Sequence, residues 1–271
     1  MAAIQTLKKQ LRGIRSTQKL TKAMKTVSTV KFSKLNTQFS DYAFFGEQCM
    51  ALYAGHARTL SATFPAADPH APAAVLVLSS NKGLCGNFNS EILNFALEQL
   101  ATLSDYRLVA CGKKAIGYFN RRQIPIEKEW LFEDIPSFED SVALLEELLS
   151  WRQEGKISRI LIVYPRYDHM MQQTPTLREL FETEEAAEEW DALLLPDRQT
   201  ILGNTSKTIL RALFYRLILE SALGAQAATM MTMRSAYDTA TEYCSKLEGQ
   251  INRLRQSAVT ADVLETASER E

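Results

Sequence analysis

Apolar residues recur at Ile4, Leu7, Leu11 and Ile14, three and four positions apart, and no proline interrupts the chain from Ile4 to about His56. That spacing gathers the apolar side chains on one helix face and predicts a single long N-terminal helix. Beyond Ile14 the stripe turns mixed, with Gln18 and Thr21 at the next two core positions and Met24, Val27 and Leu35 on a displaced track. The seam is therefore expected to be imperfect, as though one partner did not cover all of it. The other end repeats the pattern. From Thr205 to about Ala267 there is again no proline, and Leu210, Leu213, Leu217 and later Leu247, Ile251 and Leu254 keep helical spacing. Two helices of about 80 and 90 Å, against a usual length of about 11 to 12 residues, are expected to pair antiparallel.

Between the helices the period changes. Ala73 to Ser80 (AAVLVLSS), Tyr106 to Gly112 (YRLVACG) and Ser158 to Pro165 (SRILIVYP) are short, β-branched and nearly all apolar. Strands covered on both faces read in this way. Helical segments alternate with them at Ser90 to Leu103, Lys113 to Arg122 and Ser137 to Gln153. Alternating strands and helices predict a mostly parallel sheet. After Pro165, YDHMMQQTPTLREL and DALLLP are expected to add antiparallel strands, separated by the acidic run ETEEAAEEW, read as a solvated loop or helix start. The expected class is α/β, a long antiparallel coiled coil with an inserted Rossmann-like domain. Its divisions are 1–57, 72–196 and 205–271.

Composition narrows what such a chain does. With 271 residues, 46% of them hydrophobic, it can bury a sizeable core. The formal net charge is only −1, yet the first forty residues carry nine lysines and arginines and no acid, leaving about −10 on the rest. Clustered basic residues raise a nucleic-acid reading, but no zinc, RNP or helix-turn-helix pattern accompanies them, and a solvated helix face is the better reading. No apolar run approaches the ~18 to 20 residues of a spanning helix. Four scattered cysteines, without a CxxC pair or secretory signal, favour reduced thiols.

The loop Ser79-Ser80-Asn81-Lys82-Gly83-Leu84-Cys85-Gly86-Asn87-Phe88-Asn89 follows a predicted strand and precedes a predicted helix, where backbone amides can cradle an anion. Neither GxxxxGK[ST] nor GxGxxG fits it, so a tight strand-to-helix turn is the better reading. Cys85 lacks a flanking base signature, and His56, His70 and His169 lack metal-ligand spacing. A structural thiol, and neither catalytic, metal nor cofactor-binding residues, are expected. The methionines Met230, Met231 and Met233 follow the small, nearly uncharged stretch GAQAAT, which requires another helix or subunit close by.

Three motifs carry a family resemblance over nearly the whole chain. Ile14, followed by Arg15-Ser16-Thr17-Gln18-Lys19-Leu20-Thr21-Lys22-Ala23-Met24-Lys25-Thr26-Val27, resembles the N-terminal signature of the γ subunit of F-type ATP synthases. Ser80 to Asn89 is similar to that family's S-D-(K/R)-G-L-C-G-x-(F/Y)-N, with Asn81 in place of the usual Asp. Asn252 to Asp262 is similar to its N-x-x-R-Q-x-x-I-T-x-E. Departures cluster in the second long helix, where Ala225, Thr229 and Thr239 stand for the usual Glu, Arg and Asn. A polar network of the family is therefore expected to be absent or rewired.

What the resemblance implies is a rotary shaft without catalytic residues, its terminal helices inside a ring of three α and three β subunits. The middle domain, carrying the turn Lys82, Gly83, Cys85, Gly86 and Asn89, would bind the ε subunit and the c-subunit ring. Ring contacts would fall on Lys19, Lys22, Met24, Lys25, Arg255, Gln256, Thr260 and Asp262. The resemblance begins near Ile14 and the stripe near Ile4, so the basic segment is expected to be the mature shaft helix and not a transit peptide. The expected place is the cytoplasmic face of a bacterial plasma membrane, held there only through the complex. The rival reading is an α/β nucleotide-binding protein with a helical dimerisation arm.

Overall fold

The computed structural model describes residues 2–62, 68, 70–180 and 198–268. Helix α1 runs Ala2–Ala62 and is followed by β1 (Ala73–Leu78), α2 (Phe88–Ala101), β2 (Tyr106–Cys111), α3 (Lys113–Arg121) and β3 (Lys128–Trp130). Then come α4 (Phe138–Gln153), β4 (Ile160–His169), β5 (Gln172–Glu179) and α5 (Arg198–Ser268). The expected strand in DALLLP and the acidic run lie outside the described residues. By packing, the chain divides into 1–28 with 230–271, and 29–229.

In the larger unit the strand order is β3-β2-β1-β4-β5, parallel except for the antiparallel β4–β5 pair. The central strand β1 is buried along its whole length, which is why it reads as an uninterrupted apolar run. One face is covered by Leu144, Leu145 and Leu148 of α4 and by Leu210, Phe214 and Leu217 of α5. The other is covered by Ile92 and Ala96 of α2 and Phe119 of α3. A third cluster joins Leu35 of α1 to Tyr215, Leu219 and Leu223 of α5.

Two strand expectations need correction. Strand β3 is only three residues long, too short to show a period, and the sequence did not disclose it. Strand β4 does not stop at Pro165 but runs on to His169, with Pro165 opposite Pro175 of β5. Neither proline has an N–H to give, so theirs is a non-hydrogen-bonded pair whose nitrogens face outward. Strand β1 accompanies β4 only as far as Val163, so Pro165 needs no donor on that side.

Candidate functional site

In the smaller unit the register between the long helices follows from three contacts. Arg15 pairs with Glu248 at 2.6 Å, Gln18 Nε2 donates to Thr241 Oγ1 at 2.7 Å, and Lys25 Nζ lies 6.0 Å from the centre of the Tyr237 ring. As the number rises on α1 it falls on α5, so the helices are antiparallel. On the α5 side the seam consists of Met233, Tyr237, Ala240, Cys244, Leu247 and Ile251, again three and four apart.

The displaced track expected on α1 is not what the structure shows. Buried or half-buried residues recur at Ile4, Leu7, Leu11, Ile14, Gln18, Thr21, Lys25, Ser28, Phe32, Leu35, Phe39 and Tyr42, with Met24, Lys31 and Gln38 half-buried beside them. This is an unbroken seven-residue repeat, in which polar residues hold the positions from Gln18 to Ser28. Thr21 tolerates burial because its hydroxyl donates to the Gln18 carbonyl at 3.0 Å. Of the three residues expected on a second track, Leu35 belongs to this repeat and Met24 lies half-buried beside it, while Val27 faces outward, 54% exposed.

Lys19 and Lys22 are exposed on this unit, and Met24 and Lys25 are half-buried. Arg255, Gln256 and Thr260 are exposed on α5, where the Thr260 hydroxyl donates to the Gln256 carbonyl at 3.0 Å. Asp262 is helical, but its side chain lies outside the described ones. The register sets Lys22 level with the neighbourhood of Thr239, so the two groups are separated by about 25 Å along the helices. They are two stations and not one site.

The loop after β1 is closed by its own side chains. Asn89 accepts from the Ser80 N–H at 3.1 Å and donates to Ser80 Oγ and Cys85 Sγ, both at 2.9 Å. Leu84 and Gly86 take positive φ, 66° and 58°, to complete the turn. Cys85 is buried, as expected of a structural thiol. Asn81 Nδ2 donates to the Phe132 carbonyl at 2.5 Å, while its Oδ1 accepts from the Lys113 N–H at 3.2 Å. Lys82 and Lys31 of α1 both pair with Asp134. Burial pushes the Asp134 carboxyl up, but hydrogen bonds from Lys31 and Lys82 and the charges of both lysines outweigh it, and the net shift is downward.

The crevice above β1 and β2, where an α/β nucleotide site would lie, is bounded by Ile218, Ser221, Ala222 and Ala225 of α5 and retains a cavity of only about 50 Å³. Ligand pockets are roughly 300 to 1,000 Å³, so this space does not fit a nucleotide. Lys82, the residue such a reading would need, is engaged by Asp134. Among the described residues no three His, Cys, Asp or Glu side chains converge as a metal site. No described helix is long and apolar enough to cross a membrane.

A family model described as ATP synthase matches residues 3–269. The chain belongs to the ATP synthase gamma-chain family. The ATP synthase gamma chain of Rubrobacter xylanophilus is 31% identical to it over 285 residues, covering 99% of this chain and 97% of that one. That of Parabacteroides distasonis is 28% identical over 284 residues, covering 98% and 97%. Among solved structures, a chain of the Euglena gracilis mitochondrial ATP synthase rotor aligns with a TM-score of 0.66 at 17% identity, over 95% of this chain and 99% of its own. One from the Tetrahymena thermophila mitochondrial ATP synthase central stalk and c-ring gives 0.60 at 17%, over 80% and 99%. Structures so distant in sequence establish the shared fold. A gamma chain is the rotor subunit of the central stalk and is not catalytic.

Within this gamma chain the departures in α5 have a local account. Ala225 is buried against the α2–α3 side of the sheet, and the Thr229 hydroxyl donates to the Ala225 carbonyl at 2.8 Å. Both positions are thus satisfied locally, Ala225 by apolar packing and Thr229 by a bond within the helix. Thr239 is exposed, and nothing in the structure explains it. The close neighbour expected beside GAQAAT is present for Ala227, which is fully buried. Sequence reasoning missed Asp134 and Glu220, because a lone acid in a loop or helix carries no spacing signal. Only the prolines at positions 165 and 175 hinted that the strand beyond them needed outside support.

Proposed function

We propose that this gamma chain is the shaft that couples ion flow through a membrane sector to ATP synthesis or hydrolysis in a ring of three α and three β subunits. The observation that supports it most is the antiparallel pair of α1 and α5, whose outer surface mixes polar, basic and small side chains with scattered exposed apolar ones such as Leu20 and Val27. A shaft that turns inside a ring must be stiff yet not locked to any neighbour. Paired helices supply stiffness, and Thr17, Ala23 and Thr26 permit close approach with modest barriers.

In this reading Lys19, Lys22 and Lys25, with Met24 beside them, meet acidic loops of the surrounding β subunits through screened, weakly directional attraction. Arg255, Gln256, Thr260 and Asp262 meet the inner loops of the ring. An off-centre shaft offers a different face to each of three identical sites and biases each toward a different affinity, a population shift by differential contact. The sheet domain, with its turn Lys82, Gly83, Cys85, Gly86 and Asn89, engages the ε subunit and the c-subunit ring. The chain then works peripherally, on the cytoplasmic face of a bacterial plasma membrane, with no cofactor and no nucleic acid.

Co-expression with the α and β subunits of the same genome, followed by gel filtration and an ATPase assay, tests this. One copy per three α and three β, with activity above that of the ring alone, is expected. A chain that elutes free overturns it.

A further inference from the structure

Strand β4 outlives its neighbour. The register with β1 ends at Val163, while the register with β5 continues to His169. Because Pro165 faces Pro175 in a non-hydrogen-bonded pair, the alternation of an antiparallel ladder makes Tyr167 and Gln173 another such pair. The Tyr167 N–H therefore points away from β5, toward the side β1 has left. A strand N–H with no ladder partner at a half-buried place is costly unless something else accepts it.

Glu220 of α5 accepts it, with Oε1 3.0 Å from the Tyr167 nitrogen. The side chain is 5% exposed, which is unusual for a carboxylate. The charges of Arg216 on α5, Arg178 on β5 and Arg166 on β4 act on it, and burial still lifts its pKa above the ordinary range. Tyr164, itself buried, lies within its field and hydrogen-bonds Arg178. One residue beyond the bond the ladder slips at Asp168, which Arg166 and Thr174 hold. Two further contacts fall at the same level. The Phe32 ring of α1 lies 6.3 Å from that of Tyr167, and Gly224, one helical turn after Glu220, leaves only 3.1 Å between a built Cβ and Gln173 Cγ.

We propose that Glu220 is a positioning residue of the rotor, a clip that takes over from β1 and fastens the outer half of the β4–β5 hairpin to α5, so that hairpin and shaft helix turn as one. The inference rests on the central-stalk reading above for its functional consequence, though not for the clip itself. The sequence places a charged acceptor where a neutral one would satisfy the bond. The three arginines recover part of the cost of burying the carboxyl without cancelling it, so a neutral acceptor of the same shape serves the bond about as well.

The test uses the full chain assembled with its α and β partners and membrane sector, in three forms. Glu220→Gln keeps an acceptor, Glu220→Ala removes it, and Tyr167→Pro removes the donor while leaving the carboxylate among its arginines. The expected result is that amide exchange across 166–174 quickens by about ten-fold in Glu220→Ala and Tyr167→Pro. Exchange in β1 and β2 should stay as in the wild type, and Glu220→Gln should remain close to it. Ion uptake per ATP hydrolysed in vesicles should fall in the first two variants and recover in Glu220→Gln. Unchanged hairpin exchange in both disrupting variants overturns the clip, and a freed hairpin with unaltered coupling overturns its positioning role. Failure of the wild-type chain to assemble would refute the central-stalk reading instead, and exchange on the free chain would still decide the clip.

Discussion

Lys31 of α1 and Lys82 of the loop after β1 converge on the same oxygen, Oδ2, of Asp134. One carboxylate thus ties three separate stretches of chain together. Because the folded-state pKa is lowered, the contribution is full above the ordinary carboxylate range and is lost as pH falls through the folded value. Asp134→Asn should lower the thermal midpoint at neutral pH and flatten the acid limb of its pH dependence. Lys31 is the more enclosed partner, with 29% of its side chain exposed against 71% for Lys82, so Lys31→Ala should cost more than Lys82→Ala. Thermal melts from about pH 2 to 7 read both effects.

Restoring the acid usual in the family at position 81 should be harmful here. Asn81 donates through Nδ2 to the Phe132 carbonyl, and an ionised Asp has no proton to give. Asn81→Asp is expected to destabilise by about 1 to 3 kcal/mol near neutral pH, with partial recovery on acidification as the carboxyl regains a donor. Urea unfolding at two pH values checks it. A loss independent of pH would mean that the Phe132 contact is not the cause.

Two glycines should respond very differently to the same substitution. Gly112 has φ of +91°, and a Cβ there would stand 2.3 Å from the Ser79 carbonyl oxygen, so Gly112→Ala should fail to fold or lose several kcal/mol, on the order of 3 or more. Gly224 lies inside α5, and its built Cβ meets Gln173 Cγ at 3.1 Å and the Phe88 ring at 3.3 Å. There the helical preference for Ala, worth about 1 kcal/mol, offsets the crowding, and the net change should stay within about 1 kcal/mol. Soluble yield and thermal melts distinguish the two.

At the far end of α5, replacing Gln256 and Thr260 together by Ala should weaken the link between rotation and ATP turnover while leaving far-UV circular dichroism unchanged. Both side chains are exposed, and Ala favours helix. Normal coupling would remove them as ring contacts. Truncation after Gln250 should lower the torque seen in single-molecule rotation, and unaltered torque would contradict the orientation proposed for the shaft.

The long helices were legible because each repeats one apolar spacing over many turns, and β1, β2 and the start of β4 because strands buried on both faces read as apolar runs. The mid-section of α1 was misread for a physical reason. The spacing puts Gln18 and Thr21 on the core stripe, where they are found, but beyond Thr21 it follows apolar residues, whereas Lys25 and Ser28 hold the seam and Val27 faces outward. Continuing the seven-residue count, regardless of residue type, would have found it. Strand β3 is too short for any period. Asp134 and Glu220 derive their importance from partners 103 and 53 residues away, separations that no local pattern encodes.

The antiparallel register has a last consequence at the tip. Arg15 lies across from Glu248, so α1 begins near the level of residue 260, and every residue from 252 to 261 on α5 is exposed. This end of α5 runs beside the first turns of α1 yet buries none of its own residues, so packing supports it weakly, and a helix end with so little tertiary support frays. Its helicity therefore depends on company, and the tip is a built-in reporter. In the lone chain its amides should exchange almost as freely as those of an unstructured peptide, and their protection should appear only when a surrounding surface closes on them.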